Sequence, residues 1–461
     1  MSWLQRVRVP HTLVLLLGVM AAALIATWVL PQGSFATTTG EHGRTMVVAG
    51  TFQLHEERVW LSPLALLTAI PRALADAQEI VFFVFLIGGS LAVVRATGAI
   101  DALLGRVLEL FGERSHWLVA AGMLVFGAAS GTFGMAEEYL PFVAILIALC
   151  AAMRMDSVTA IGIMVCGYAI GYGMAPLNPF TVLVAQGVAE LPPASGWALR
   201  AALLGPFLLI GIHHVLGYAA RVRQDPSASL VADLPGAQHE ARHDYPPMSW
   251  PHRLVLLSML ATLALLVAGV ALWGWYLLEL SALFFAMGLL AAAIGRIGPS
   301  DSARIFCDGA ATMTTTALLI GFARAVGLLL EEGQVLHTVV HGLATPLTSA
   351  GAEVAAVGML MIQTVINFFI PSGSGQALAT MPIMVPISDL VGVNRQVAVL
   401  AFQMGDGFSN MIVPTNAILM GILGIAGIPF DRWLRFVTPL MGKLLLAGSL
   451  TLVGAQLLGY Q

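Results

Sequence analysis

Of the 461 residues, 58% are hydrophobic and only 10% carry a charge, against about 25% in an ordinary soluble domain. So much apolar surface excludes disorder, a fibrous repeat and an ordinary cytosolic enzyme, and a net charge of −4 without a long basic run gives no footing for nucleic acid. The expected class is an all-α polytopic membrane protein, built from apolar stretches of about 20 residues.

The first apolar run, 11–30, follows Arg6 and Arg8 and ends in Leu30-Pro31-Gln32-Gly33, without a small-residue cleavage pattern, so it reads as a span. Positive charge stays inside, which puts the N-terminus in the cytoplasm. Residues 32–77 are then external: a polar stretch, followed by a helix over 59–75 lying on the surface. A span over 79–94 returns inward, and the amphipathic stretch 97–112, with Arg106, lies at the cytoplasmic interface. The runs 116–130 and 137–152 are too short to cross comfortably and are flanked by Arg114 and Arg154. They form a re-entrant hairpin (117–152) whose tip is Ser130-Gly131-Thr132-Phe133-Gly134. The long segment 157–190 is broken by glycine and proline, and 196–220 returns inward. The polar stretch 221–250, with Arg221, Arg223 and Arg242, is a cytoplasmic linker. A connecting span over 251–274 follows, then spans near 275–295 and 308–326 and an amphipathic stretch at 327–345. A second hairpin (352–390), a second broken span (395–428) and a last span (433–458) complete the chain, with an external C-terminus. The expected total is nine spans and two hairpins.

The two halves repeat. Ser130-Gly131-Thr132, then Gly134 and Pro141, is matched by Ser372-Gly373-Ser374, then Gly375 and Pro382. Downstream, Gly167, Gly171, Pro176 and Asn178 are matched at equal spacing by Gly405, Ser409, Pro414 and Asn416. The first repeat (1–220) holds an even number of spans, and the single connecting span turns the second (275–461) upside down. An inverted repeat with broken helices near the midplane is the arrangement of secondary transporters.

Breaking a helix inside hydrocarbon costs several kcal/mol per unpaired backbone group, so it is tolerated where protein or a watery cavity supplies partners. Glycine and proline also merely kink or pack membrane helices, but the matched pair of motifs favours function. Asn178 and Asn416 offer donors and an acceptor at the breaks, and Ser130, Thr132, Ser372 and Ser374 add hard oxygens suited to Na⁺ or a zwitterion. Charges within apolar segments are costly and mark function. Glu137 and Glu138 sit just past the first tip and Asp406 lies between Gly405 and Gly407; these carboxylates would attract an amino or guanidinium group, or carry protons. Arg324 either pairs with Asp406 or holds a substrate carboxylate. There is no P-loop, HExxH, GxSxG or CxxC, so no enzyme chemistry is visible.

Gln403-Met404-Gly405-Asp406-Gly407-Phe408-Ser409-Asn410, with Pro414-Thr415-Asn416, resembles the signature of the YfcC-like basic amino acid antiporters. So do Phe85-Leu86-Ile87-Gly88-Gly89-Ser90 and Pro371-Ser372-Gly373-Ser374-Gly375-Gln376. That group is related to the C4-dicarboxylate anaerobic carriers and, more distantly, to the p-aminobenzoyl-glutamate transporters. The resemblance covers nearly the whole chain. It implies the ion-transporter superfamily fold, with a dimerising scaffold and a mobile domain carrying two hairpins, in a cell inner membrane. It points to Ser130, Gly131, Thr132, Asn178, Ser372, Gly373, Ser374, Gln376, Ser409, Asn410, Thr415 and Asn416 as substrate- and ion-binding residues, joined by Glu137, Glu138 and Asp406 from the charge argument. The expectation is a secondary active transporter of amino acids, basic ones such as arginine or ornithine, with a C4-dicarboxylate as the alternative cargo. The expected partners are a small-molecule substrate, the lipid bilayer and a second copy in a homodimer. No cofactor is expected beyond Na⁺ or H⁺ as coupling ion, with Na⁺ placed at the hairpin tips and its ligands unassigned.

Overall fold

The structure, a computed structural model, describes residues 12–39, 45–47, 51–103, 106, 115–178, 180–234, 246–273, 275 and 277–460. Arg6, Arg8, Arg114, Arg242 and, in the 97–112 stretch, residues 104, 105 and 107–112 lie outside the described residues. The described residues are mostly helical.

Helix α1 (Thr12–Val29) leads into a polar cap with two small antiparallel ribbons. Strand β1 (Gly33–Ser34) pairs with β4 (Gln53–Leu54), and β2 (Thr37–Thr39) pairs with β3 (Thr45–Val47). These strands correct the all-helical expectation. Consecutive β-branched threonines with nothing apolar to form a helical stripe favour a ribbon over a helix. Helix α2 (Ala65–Asp76) is amphipathic as expected, but its face is covered. Ala65, Ala69 and Ala73 recur every four residues and are buried against Met20 and Leu24 of α1 and against Ala325, Val326 and Leu329 further on.

Helix α3 (Gln78–Ala96) precedes α4 (Ser115–Phe133) and α5 (Phe142–Ala152). Next come α6 (Ser157–Gly173), α7 (Val182–Val188) and α8 (Trp197–Gln224). Helix α6 contains a π-turn at Gly162–Cys166. Its N-cap, Asp156, accepts a hydrogen bond from Thr159 N at 2.9 Å and others from Tyr218 Oη at 2.5 Å and Ser229 Oγ at 2.6 Å, fastening the start of the linker. Beyond the linker come α9 (Trp250–Trp273), α10 (Leu277–Ile294), α11 (Pro299–Ala311) and α12 (Thr314–Glu332). The single span expected over 308–326 is therefore divided between α11 and α12, where Thr312 Oγ1 turns back to Gly309 O at 2.6 Å. The remaining helices are α13 (Leu336–Ala344), α14 (Ala352–Ile366), α15 (Gly373–Val391), α16 (Arg395–Ser409), α17 (Ala417–Ala426) and α18 (Phe430–Leu457).

Among the described residues, four helices are by themselves long and apolar enough to cross a membrane: α3, α8, α10 and α18. The other apolar helices or helical stretches, including those of α1, α4, α5, α6, α14 and α17, are shorter. Two helices form the centre. Helix α16 is buried on every side from Gln396 to Ser409, and α6 is buried from Ser157 to Gly171. A helix hidden all round belongs to the middle of a bundle. The two cross at their C-terminal ends, where a Cβ on Gly407 would stand 2.1 Å from the Gly173 nitrogen. Helix α4 packs on α6 where Gly171 meets Gly127 O, and α14 packs on α16 where Gly405 meets Leu360 O.

Candidate functional site

Both central helices stop in the interior. Helix α16 ends at Ser409, and α17 restarts at Ala417. Pro414 cannot donate an N–H, and Asn416 begins the new helix. Its Oδ1 accepts from Leu419 N at 2.9 Å and its Nδ2 donates to Asn410 Oδ1 at 2.8 Å. Asn367, at the end of α14, ties off the break: its Nδ2 lies 3.1 Å from Asp406 O, 2.8 Å from Ser409 Oγ and 2.9 Å from Asn410 Oδ1. Thr415 Oγ1 donates to Phe368 O at 2.7 Å, and Trp433 Nε1 to Met411 O at 2.7 Å. Freed backbone groups are thus met by side chains, as a dry interior requires.

Helix α6 ends at Gly173, and α7 starts at Val182. Here Asn178 does the matching work. Its Oδ1 accepts from Phe180 N at 2.8 Å and Thr181 N at 3.2 Å, and its Nδ2 donates to Ser130 O at 3.1 Å. The turn between α4 and α5 closes over it at Gly134, whose φ of +74° suits glycine and whose Cβ would stand 2.8 Å from Asn178 Oδ1. Ser130 Oγ donates to Met135 O at 2.8 Å and lies 2.7 Å from Tyr139 Oη. Tyr172 Oη donates to Gly134 O at 2.6 Å, and Glu138 Oε2 accepts from Ala136 N at 2.8 Å.

Between these pieces and α12 lies a cavity of about 540 Å³. Of the residues expected at the site, Glu138, Ser372, Gly373, Ser374, Asn410, Thr415 and Asn416 line it. Ser130, Gly131, Thr132, Asn178, Gln376, Asp406 and Ser409 do not. Ser130 and Asn178 are spent on the α4–α5 turn, and Thr132 Oγ1 turns back to Ala128 O at 2.7 Å. Gly131 packs against Gly171 O. Gln376 is buried between α14 and α15, donating to Gln363 Oε1 at 2.7 Å. Ser409 Oγ turns back to Gly405 O at 2.5 Å. The Glu137 side chain lies outside the described part of the structure.

The ionisable side chains among the described lining are the carboxyls of Asp76, Glu138 and Glu331, the Arg324 guanidinium and the phenols of Tyr168 and Tyr172. The expected alternatives for Arg324 were Asp406 or a substrate carboxylate. Instead its Nε binds Asp76, and its Nη1 lies 3.4 Å from Glu331. Asp76 comes from the end of α2, and Glu331 from two turns further along α12 itself, both from stretches that read as amphipathic. Asp76, Glu331, Tyr168, Tyr172 and Asn367 were missed in the sequence. Asn367 alone carried a signal, as an amide inside an apolar arm five residues before Ser372.

A second, larger cavity of about 840 Å³ is lined mainly by apolar side chains of α3 and α5, with Arg95 and Asp101. Leu140, which lines the larger cavity, and Ile320 pack at Gly421 of α17, the helix that lines both. Both lie within 3.5 Å of where a Gly421 Cβ would stand, at 3.3 and 3.4 Å.

An apolar bundle interrupted at two buried points beside a charged cavity defines a membrane transport protein. The chain belongs to the C4-dicarboxylate anaerobic carrier family, whose model matches residues 9–457. It is 34% identical to "Putative basic amino acid antiporter YfcC" of Escherichia coli K12 over an alignment of 497 positions, covering 99% of this chain and 98% of that protein. A protein of Haemophilus influenzae Rd is 26% identical, with 96% of each chain covered. Among solved structures, the YdaH transporter of Alcanivorax borkumensis aligns with 98% of this chain and 99% of its own, at 16% identity and a TM-score of 0.45. The family is one of carriers, not enzymes.

Proposed function

We propose that this carrier moves basic amino acids such as arginine or ornithine, by exchange or by coupling to Na⁺ or H⁺. The charge balance of the 540 Å³ cavity carries this reading: three carboxylates against one guanidinium, which two of those carboxylates already hold. Glu138, the third, is 4% exposed, and a little-hydrated carboxylate pairs well with a guanidinium or ammonium group. The substrate's own carboxylate would meet the N-terminal turns of α15 and α17, whose first residues line the cavity and whose free N–H groups favour an anion.

The matched roles of Asn178 and Asn416 support a pair of inverted repeats, each with a re-entrant hairpin (α4–α5 and α14–α15) and a broken helix. Transport then proceeds by alternating access, the hairpin-bearing part moving against a scaffold that dimerises in the inner membrane, with the N-terminus cytoplasmic and the C-terminus external. In proteoliposomes the protein should take up labelled arginine, and arginine, not succinate, should raise its melting temperature. Glu138→Gln should weaken arginine binding roughly tenfold to a hundredfold, the worth of one charge-assisted hydrogen bond. Arg324 on the cavity wall favours the second reading, a C4-dicarboxylate; stabilisation by succinate alone would decide for it.

A further inference from the structure

Away from both cavities, the fold hides an arginine that meets no opposite charge. Arg200 stands in the first turn of α8 and is fully buried. Its guanidinium lies where the ends of several elements meet. Nη2 donates to Ser195 O, just ahead of α8, at 2.5 Å. Nη1 donates to Gln396 Oε1, at the start of α16, at 3.3 Å and to Tyr460 Oη, beyond α18, at 3.2 Å. Every one of these acceptors is neutral, and two are shared. Gln186 Nε2, from α7, also donates to Ser195 O at 2.7 Å and to Gln396 Oε1 at 3.4 Å. Donors outrun acceptors here, and the buried Arg200 Nε has no hydrogen-bond partner. Among the described residues no carboxylate pairs with Arg200; Glu190 and Asp389, at the same end of the bundle, are held by Arg395.

The same place favours negative charge for a second reason. Helix α8 starts after Gly196, which has no side chain to cap it and a φ of +66°. Uncapped N–H groups at the start of a long helix attract anions, and the bond to Ser195 O holds the guanidinium beside them. Tyr460 covers the turn, donating from Oη to Gly196 O at 2.7 Å. A buried charge needs a partner. Arginine does not shed its proton inside a protein, so the balance has to come from an anion. We infer that Arg200 Nε and the first turn of α8 bind a small monovalent anion, chloride or another halide. With Gln396 Nε2 also donating to Ser195 Oγ at 2.5 Å, side chains close around the guanidinium, which restricts the ligand to a small ion. The ion would tie the loop between α7 and α8 to the start of α16 and to the chain beyond α18. Helix α16 ends at the break beside the cargo cavity, so the anion steadies a helix on which the carrier depends. The site stands whichever cargo is carried, and its failure leaves the carrier reading intact.

The test is the melting temperature of the purified full chain, titrated with NaCl, NaBr and sodium gluconate at matched ionic strength, so that the cation never varies. The expected result is a saturable rise of several degrees with either halide and none with gluconate. Arg200→Gln, which keeps donors and loses the charge, should abolish the response. Crystals grown in bromide should show an anomalous peak within hydrogen-bond reach of Arg200 Nε. If Arg200→Gln does not fold, the bromide peak and the wild-type salt series still decide. A rise that is equal in gluconate, or that never saturates, is a general salt effect and overturns the site. So does an undiminished halide response in Arg200→Gln, or bromide found only elsewhere.

Discussion

Asn416 has two tasks that an aliphatic residue cannot share: it caps α17 through Leu419 N and holds the Asn410 amide. Asn416→Ala should cost about 1–3 kcal/mol, a lost cap plus a buried acceptor left with one partner fewer, read as a lower melting temperature in detergent. A different residue-scale test lies in the polar cap, outside the spans. His337 Nδ1 accepts from Phe35 N at 3.3 Å, so that nitrogen is unprotonated in the folded cap. Burial, then the nearby His55, holds His337 below its ordinary value. A folded-state depression means that stability is present above the unfolded pKa of about 6.5 and is lost as pH falls through the lower folded value. His341 stacks on Phe52 at 4.2 Å between ring centres and His55 Nε2 lies 2.8 Å from Ser34 Oγ, so both face the same cap. Proteolysis of the 51–60 segment should therefore accelerate on acidification, and His337→Gln should flatten that dependence.

At the scale of elements, the crossing of α6 and α16 leaves no room for a methyl group. Gly407→Ala would push a Cβ onto backbone, which cannot swing aside, and should lower stability by about 1–3 kcal/mol or prevent folding. Gly454→Ala, in α18 with nothing within 4 Å of its Cβ position, should instead gain about 1 kcal/mol of helix propensity. Melting curves of the two variants check the contrast. The helix breaks were legible because proline and asparagine speak locally: Pro176 and Pro414 forbid continuation, Asn416 caps the next helix and Asn178 holds the turn ahead of its own. The acidic wall was not. Asp76 and Glu331 sit at the polar edges of stripes that look solvated; Glu331 lies two turns along α12 from Arg324, and the packing of α2 against α12 brings Asp76 to it. The same holds for the ribbons of the cap, which pair residues as far apart as Gly33 and Leu54.

For the whole molecule, the repeated motif foretold which segments would be central and not how the work would be divided. The second half lines the cavity with Ser372, Ser374, Asn410, Thr415 and Asn416, while Ser130 and Asn178 of the first half spend their polar groups holding its turn together. Identical residue types at equal spacing thus serve one half as architecture and the other as surface, a difference set by what each turn encloses. One consequence concerns the barrier between the cavities. Helix α17 touches the smaller chamber at Ile418 and the larger at Ile425, seven residues and about 10 Å apart at helical rise. Leu140 and Ile320 both lie beside Gly421, within that interval. If cargo crosses from one chamber to the other, this short stretch of α17 is the wall it must displace, with the leucine and isoleucine as the greased bearing over which the wall slides.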